Sequence, residues 1–164
     1  MKRIYILGTS GSGKSHLAEI LSKKLKIKQF DLDDIYWIKK YTKKRSEENK
    51  KKLLSEILKN NKKWIIEGNL TTFVDEAVKK ADEVIWLDIH PLVMSYRVIR
   101  RSLTRMRKDA DDFKGMKLLL GDIRKYKRKG GMYHKHKELL GKHKKEFILI
   151  QNKRQLNRYL KELI

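Results

Sequence analysis

The segment GTSGSGKS at residues 8–15 directly follows the apolar run Ile4–Leu7, and its residue types suit the binding of phosphate. It completes the spacing G-x-x-x-x-G-K-[ST], in which glycines allow successive backbone N–H groups to turn inward around an anion. The lysine reaches the β- and γ-phosphates of a nucleotide, and the hydroxyl after it can ligate Mg²⁺. The alternative is a flexible glycine-rich turn. The pattern favours a phosphate-binding loop, with these candidate binding residues: Gly8, Ser10, Gly11, Ser12, Gly13, Lys14 and Ser15.

A second group of reactive side chains lies in FDLDDIYW, residues 30–37. Asp31 and Asp33 follow a predicted strand whose carboxyl end faces the loop, and in an extended chain they point the same way. We expect Asp33 to hold Mg²⁺ or to accept a proton from an attacking hydroxyl. The alternative is an acidic N-cap for a short helix, most of all at Asp34. The adjoining aromatic pair, residues 36–37, either floors a substrate pocket or packs.

Glu67 ends a buried apolar strand in the segment WIIEGN. We expect it to lie beside a metal ion bound to Ser15, because strand ends of parallel sheets meet at one edge. The alternative is a strand-end carboxylate that caps Thr71 or Thr72. The predicted metal ligands are therefore Ser15, Asp33 and Glu67.

A helix is predicted from Pro91 towards Arg107, since proline favours the first helical position. Its apolar stripe has steps of three and four residues: Leu92, Tyr96, Ile99, Leu103 and Met106. Three arginines share a separate face: Arg97, Arg101 and Arg105. Such a face is either solvated or folds over phosphoryl oxygens. The glycine-interrupted segment from 114 to 145 carries twelve basic and two acidic residues, which suggests a mobile basic lid.

These groups require a scaffold in which strands and helices alternate. Runs of Ile, Val, Leu and Trp predict nearly continuous apolar strands at 2–7, 27–32, 63–69, 83–89 and 146–150. Helices are predicted at 14–25, 46–60 with Ser46 as N-cap, 72–80, and from about 152 to the end. A broken helical region, interrupted at Gly115, Gly121, Gly130-Gly131 and Gly141, covers 110–143. The pattern indicates one α/β domain with a parallel sheet covered on both faces.

The chain has 164 residues and a formal charge of +22, from 42 basic and 20 acidic residues. A surface of this kind attracts polyanions, so nucleic acid is a candidate partner, although a lysine-rich solvated surface gives the same composition. No apolar run approaches the ~20 residues of a membrane span. The absence of cysteine is consistent with a reducing compartment. We expect a cytoplasmic protein with no membrane partner, as a monomer or homodimer.

The sequence resembles the adenylate-kinase-related P-loop kinases known as topology-modulation or FlaR-type proteins. The matching segments appear in the same order: GTSGSGKS, LDDIYW, WIIEGN, ADEVIWLDIHPLVMSYRVIRR and EFILIQNKRQLNRYL. The resemblance implies a P-loop NTPase fold with five parallel strands sandwiched by helices. It also implies a substrate-binding insertion at about 33–63 and a basic helical lid at about 105–143.

The resemblance further assigns roles by position. Arg97 matches an arginine that stacks on the adenine of ATP, and Arg101 matches one that reaches phosphate. Asn152, in the loop 151–153, borders adenine, and Asp33 matches the carboxylate after strand two in shikimate- and gluconate-kinase-like relatives. Arg124 or Arg128 would supply an arginine after the lid. The strand-three motif D-G-[FY]-P-R of true adenylate kinases is replaced here by EGNLTT, which has no arginine to hold a monophosphate.

The leading interpretation is transfer of the γ-phosphate of ATP, with Mg²⁺, to a small acceptor that the sequence does not identify. Lys14 and Arg101 would neutralise the transferring phosphoryl group, and Asp33 would orient or deprotonate the acceptor. The alternative is a nucleotide-dependent nucleic-acid-binding protein or a regulatory nucleotide switch. A GTPase is disfavoured, because Asn152-Lys153 lacks the aspartate of N-K-x-D.

Overall fold

The structure, a computed structural model, describes residues 2–39, 42–69, 71–106 and 112–163, apart from the side chains of residues 105, 106 and 112–114. The strands are β1 Arg3–Gly8, β2 Gln29–Asp31, β3 Trp37–Lys39, β4 Lys43–Lys44, β5 Trp64–Gly68, β6 Glu83–Leu87 and β7 Ile148–Ile150. The helices are α1 Lys14–Leu25, α2 Leu32–Tyr36, α3 Glu47–Asn60, α4 Asp75–Lys80, α5 Pro91–Met106, α6 Asp112–Lys125, α7 Met132–Lys142 and α8 Lys153–Glu162.

Five parallel strands form the main sheet in the order β2-β5-β1-β6-β7, and β3 pairs with β4 as an antiparallel hairpin. The central strand β1 is apolar from Ile4 through Leu7, and these four residues are fully buried. Such a strand needs cover on both faces, which the intervening helices supply. The predicted α/β fold with a five-stranded parallel sheet is confirmed.

The two faces of the sheet carry separate hydrophobic cores, because successive strand residues point to opposite sides. Tyr5 and Leu7 pack with α3, α4 and α7 on one face. Ile4 and Ile6 pack with α1, α5, α6 and α8 on the other. The sheet is therefore held rigidly from both sides, and its strand ends are a stable platform for a binding site.

Several helix boundaries agree with the sequence. Ser46 caps α3 by accepting a hydrogen bond from the Asn49 amide at 3.3 Å, and α5 begins at Pro91. The region after β2 differs from the prediction. The extended chain ends at Asp31, and the acidic N-cap of the short helix α2 is Asp31, whose side chain accepts from the Asp33 amide; Asp34 lies within the helix.

The helical region before β7 is interrupted less often than predicted. Helix α6 continues through Gly115 and Gly121, and α7 continues through Gly141. A glycine inside a helix costs about 1 kcal/mol relative to alanine, which packing against the core offsets. Between α6 and α7, the described chain turns around Gly130-Gly131. A Cβ on Gly131 would lie 2.2 Å from the Lys125 carbonyl oxygen.

The apolar stripe of α5 faces away from the core. Leu92 is 74% exposed and Tyr96 is 64% exposed, whereas the buried face of the helix carries Met94, Val98 and Ser102. With this face buried, the first turns of α5 pack against the loop after β1. A Cβ at Gly11 would lie 2.5 Å from the Met94 carbonyl oxygen.

The predicted insertion contains the β3–β4 hairpin and α3, and the predicted lid contains α6 and α7. Residues 40, 41 and 107–111, and the side chains of Arg105 and Met106, lie outside the described residues. The role of either region as a separate functional unit stays a prediction. No helix within the described ranges is long and apolar enough to cross a membrane.

Candidate functional site

A cavity of about 650 Å³ opens where three neighbouring strands end, at Gly8 of β1, Asp31 of β2 and Glu67 of β5. The loop after β1, helices α2, α5 and α6 and the β3–β4 hairpin complete its walls. Ligands bind at this edge in open parallel α/β sheets. The sequence-predicted residues that line it are Ser10, Gly11, Gly13, Lys14, Ser15, Asp31, Asp33, Glu67, Arg97 and Arg101.

The loop after β1 has the backbone of an anion cradle. Gly11 and Gly13 have φ angles of 78° and 100°, in the left-handed region that favours glycine. The Ser12 amide donates to the Thr9 carbonyl oxygen at 3.2 Å, which closes the turn. Helix α1 begins immediately afterwards, and its N-cap residue Gly13 has no side chain with which to cap the first amides. Those amides and the positive end of the helix dipole are therefore available to bind an anion.

Three predicted residues meet at the entrance of α1. Ser15 Oγ donates a 2.5 Å hydrogen bond to Glu67 Oε1, and Lys14 Nζ lies 3.8 Å from Glu67 Oε2. Lys14 Nζ also lies 3.5 Å from the Thr9 carbonyl oxygen. Glu67 is 4% exposed, and no hydrogen bond within the described residues joins it to the threonines 71–72. Glu67 therefore contacts the first turn of α1, and its role as a metal ligand stays a prediction.

The donor set around Ser15 fits a magnesium ion. Mg²⁺ prefers oxygen ligands and uses one or two carboxylates together with phosphates and water. Ser15 and Glu67 supply a hydroxyl and a carboxylate in contact with one another, and Asp33 lines the same cavity. Within the described residues, no three His, Asp or Glu side chains form a cluster of their own for a metal. Such an ion would therefore depend on the nucleotide for further ligands.

The aspartates after β2 have distinct environments. Asp31 Oδ1 accepts a hydrogen bond from the Asp33 amide at 2.8 Å. Burial raises the pKa of Asp31 to about 6, and the nearby Glu67 carboxylate contributes to the same rise. Asp33, in the first turn of α2, also lines the cavity, whereas Asp34 is exposed and does not line it.

Arg97 and Arg101 of α5 line the cavity and reach it in different ways. Arg97 Nη1 donates to the carbonyl oxygens of Gly11 and Ser12, at 3.2 and 3.0 Å. Arg97 thus contacts the backbone of the cradle, and its predicted stacking on adenine stays a prediction. Arg101 lines the cavity one helical turn further along. The side chain of Arg105 lies outside the described residues.

Asn152 is not among the residues that line this cavity. Its side chain caps α8 by accepting from the Gln155 amide at 3.0 Å. The neighbouring Gln151 donates through Nε2 to Asp88 at 3.0 Å, and Lys127 Nζ lies 3.2 Å from the same carboxylate oxygen. The loop therefore braces the end of β6, and a role of Asn152 at the adenine ring stays a prediction.

Sequence reasoning missed residues whose roles depend on distant contacts. Lys44, Asn69 and Asp122 line the cavity. Behind Asn69, the fully buried His136 of α7 places Nε2 3.2 Å from the Asn69 carbonyl oxygen. Burial lowers the pKa of His136 to about 4, and the charge of Lys14 adds to the effect. A histidine in an amphipathic helix gives no sequence signal for such a contact, and α7 carries two, His134 and His136.

The strand order, the phosphate-binding loop and the cavity define a P-loop kinase-like fold. The chain belongs to the AAA_18 family, whose model, described as an AAA domain, matches residues 4–116. A protein of Bacillus subtilis (strain 168), described as uncharacterized protein YqaC, is 38% identical over 104 residues. That match covers 63% of this chain and spans 58% of the length of YqaC.

Two solved structures are similar over nearly the whole chain. Shikimate kinase from Acinetobacter baumannii, in complex with shikimate, superposes with a TM-score of 0.62 at 17% identity, covering 99% of this chain and 92% of that one. Shikimate kinase from Bacteroides thetaiotaomicron gives 0.57 at 17% identity, covering 99% and 96%. At this level of identity, the likeness demonstrates the fold.

Proposed function

We propose that this protein is an ATP-dependent phosphotransferase that transfers the γ-phosphoryl group to a small acceptor. The observation that carries the proposal is the meeting of Lys14, Ser15 and Glu67 at the mouth of a cavity that also contains Asp33. A nucleotide-binding loop and a candidate proton acceptor thus share one enclosed space. Kinase chemistry requires that juxtaposition, because phosphoryl transfer depends on positioning and on charge neutralisation.

The residues divide between the two substrates. The amides of the cradle and the Lys14 ammonium bind the phosphates, and Arg101 stabilises charge on the transferring group. Ser15 and Glu67 would hold Mg²⁺, which supplies neutralisation of the β- and γ-oxygens when it is bound. Asp33 orients the acceptor hydroxyl and accepts its proton.

The finer assignment, to the adenylate-kinase-related topology-modulation or FlaR-type proteins, is part of this proposal. The sequence segments that resemble that family support it, and the absence of an arginine in EGNLTT argues against a nucleoside monophosphate as acceptor. Cytoplasmic location and a monomeric or homodimeric state are likewise proposed.

The test is transfer of labelled γ-phosphate from ATP to a panel of small acceptors in the presence of Mg²⁺, together with ATP binding by calorimetry. Lys14→Ala is expected to abolish transfer while the protein stays folded, because Lys14 projects into the cavity. Lys23→Ala, on the solvent side of the same helix, is the matched control. Turnover at the parent rate by Lys14→Ala would exclude the proposed function.

A second candidate function, nucleotide-dependent binding of nucleic acid, is favoured by the charge of +22. Affinity for DNA or RNA would then fall steeply with salt, because each neutralised phosphate releases counterions. Binding that depends on both ATP and salt concentration would support this candidate, and weak binding that is insensitive to ATP would exclude it.

A further inference from the structure

The charged side chains that line the cavity are distributed unevenly across the strand order of the sheet. Arg97 and Arg101 follow β6 on one side of the central strand β1, and Lys14 follows β1 itself. On the other side, Glu67 ends β5 and Asp31 ends the edge strand β2, in register with each other. The cations Lys14, Arg97 and Arg101 therefore lie on the β1–β6 side, together with Asp122 of α6, which packs against α5. The β5–β2 side carries the carboxylates Asp31 and Glu67, although the whole chain has 42 basic and 20 acidic residues.

The β5–β2 side offers mainly groups that accept hydrogen bonds. The carboxylates of Asp31, Asp33 and Glu67 accept and do not donate when ionised. Asn69 Oδ1, at the end of β5, is buried and has no hydrogen-bond partner among the described residues. A buried polar atom without a partner is costly, so a ligand that donates a hydrogen bond there would be favoured.

Among the described residues, Lys44 is the lysine that lines this side of the cavity. Lys44 Nζ sits 5.5 Å from the ring centroid of Tyr36 and 5.8 Å from that of Trp37, so its cation lies against two aromatic rings. Lys44 is exposed, and among the described residues no arginine lines the β5–β2 side of the cavity. A phosphate group would therefore meet several carboxylates and one exposed ammonium, without the bidentate guanidinium contacts that bind phosphates firmly.

We infer that the acceptor is a hydroxyl-rich small molecule without a phosphate group, such as a polyol, a sugar or an amino sugar. This inference rests on the proposed phosphotransferase function and identifies its substrate class. A hydroxyl oxygen of the acceptor forms a bond to the γ-phosphorus while the bond from that phosphorus to the β,γ-bridging oxygen breaks. ADP leaves, and the hydroxyl proton passes to Asp33. The remaining hydroxyl or amino groups donate to Asp31 and to Asn69 Oδ1.

The test compares matched pairs of acceptors that differ by one phosphate: glycerol with glycerol 3-phosphate, glucose with glucose 6-phosphate, glucosamine with glucosamine 6-phosphate, and adenosine with AMP. Transfer from ATP and binding to the protein loaded with ADP and Mg²⁺ are both measured. In each pair that is used, the form without phosphate is expected to bind and react at least tenfold better. A preference for the phosphorylated members, or no binding of any hydroxyl compound at millimolar concentration, would overturn the inference.

A variant provides a second readout. Asp31→Asn keeps an oxygen that can cap α2 but replaces one acceptor atom with a donor and removes the charge. The preference for the form without phosphate is expected to fall at least tenfold, while KM for ATP stays within twofold. Asp34→Asn, outside the cavity, is the control and should keep the parent preference. An unchanged preference in Asp31→Asn would contradict the inference.

The two proposals fail in different ways. The phosphotransferase proposal would be rejected if the protein did not bind ATP and transferred phosphate to none of the acceptors. Normal ATP binding with transfer to AMP or to a sugar phosphate would leave the phosphotransferase proposal intact and reject the acceptor class alone.

Discussion

Ser15 Oγ donates directly to Glu67 Oε1 at 2.5 Å, which joins the first turn of α1 to the end of β5. Magnesium holds its oxygen ligands at 2.0–2.1 Å in near-octahedral geometry. An ion bound by both side chains would replace their hydrogen bond with two metal–oxygen contacts. The direct contact therefore holds the two side chains together in the orientation that shared binding of an ion would require.

Glu67→Gln tests this arrangement. The amide oxygen can still accept from Ser15, but the anionic metal ligand is lost, as is the charge that faces Lys14. The Mg²⁺ concentration for half-maximal activity is expected to rise about tenfold or more, equivalent to about 1.4 kcal/mol. Thermal stabilisation by ADP alone, with a chelator present, should be unchanged or greater. An unaltered magnesium requirement would exclude Glu67 as a ligand.

Asp33→Asn is expected to lower kcat about 10²–10⁴-fold with little change in KM for ATP, because a general base acts mainly in the transition state. Asp34→Asn is the matched control, since Asp34 is on the same short helix but exposed and outside the cavity. Steady-state kinetics with a saturating acceptor measure both. Equal losses of stability and activity in Asp33→Asn would indicate a structural role instead.

Arg97→Ala removes two hydrogen bonds to the carbonyl oxygens of the cradle. A hydrogen bond to a charged group contributes about 1.5–3 kcal/mol, and the low end applies to this exposed side chain. KM for ATP is therefore expected to rise about tenfold. Hydrogen exchange of the loop amides should also accelerate in the nucleotide-free protein.

The exchange measurement separates two explanations for a higher KM. Stacking of Arg97 on adenine would raise KM without changing exchange in the absence of nucleotide. Arg100→Ala is the control, because Arg100 is exposed on the same helix and does not line the main cavity. Identical exchange in the two variants would reject the role of Arg97 in holding the loop.

The sequence predicted those features that depend on neighbouring residues. The cradle follows from glycine spacing between an apolar strand and a helix, and Ser46 was recognisable as an N-cap from its position before α3. The edge strand β2 and the hairpin after it were harder, because β4 comprises only Lys43–Lys44 and has no apolar pattern. The acidic N-cap of α2, considered as an alternative role for Asp34 above all, is Asp31, because the chain leaves the extended conformation at that residue.

Contacts between distant segments escaped prediction. The apolar stripe of α5 did not indicate that the helix would bury its opposite face, which carries Met94 and Val98. Which face is buried depends on the close approach of the helix to Gly11. Likewise, His136 contacts a carbonyl oxygen 67 positions earlier in the chain. Only the packed arrangement of α7 against the end of β5 brings the two together.

The buried His136 and the partly buried Asp31 have opposite effects on stability between pH 4 and 6.5. The lowered pKa of His136, about 4, means that the unfolded state binds more protons there, so stability falls as pH decreases. At a pH below both pKa values, this shift lowers the free energy of unfolding by about 3 kcal/mol relative to neutral pH. The raised pKa of Asp31, about 6, makes the folded state bind more protons, so stability increases as pH falls. The effect of Asp31 is smaller, because solvent screens its partly exposed carboxyl group.

Urea unfolding at pH 4 to 7 should resolve the two contributions. His136→Gln can still donate to the Asn69 carbonyl oxygen but does not titrate, so its stability relative to the parent is expected to improve by up to about 3 kcal/mol as pH falls from 6.5 to 4. Asp31→Asn should change in the opposite sense and lose stability faster than the parent. His134→Gln, at an exposed position of the same helix, is the control substitution. Comparison with the parent cancels the groups common to all variants, including Lys14 near His136 and Glu67 near Asp31. Parallel curves for His136→Gln and the parent would show that His136 binds protons equally in the folded and unfolded states, which would contradict a pKa lowered by burial.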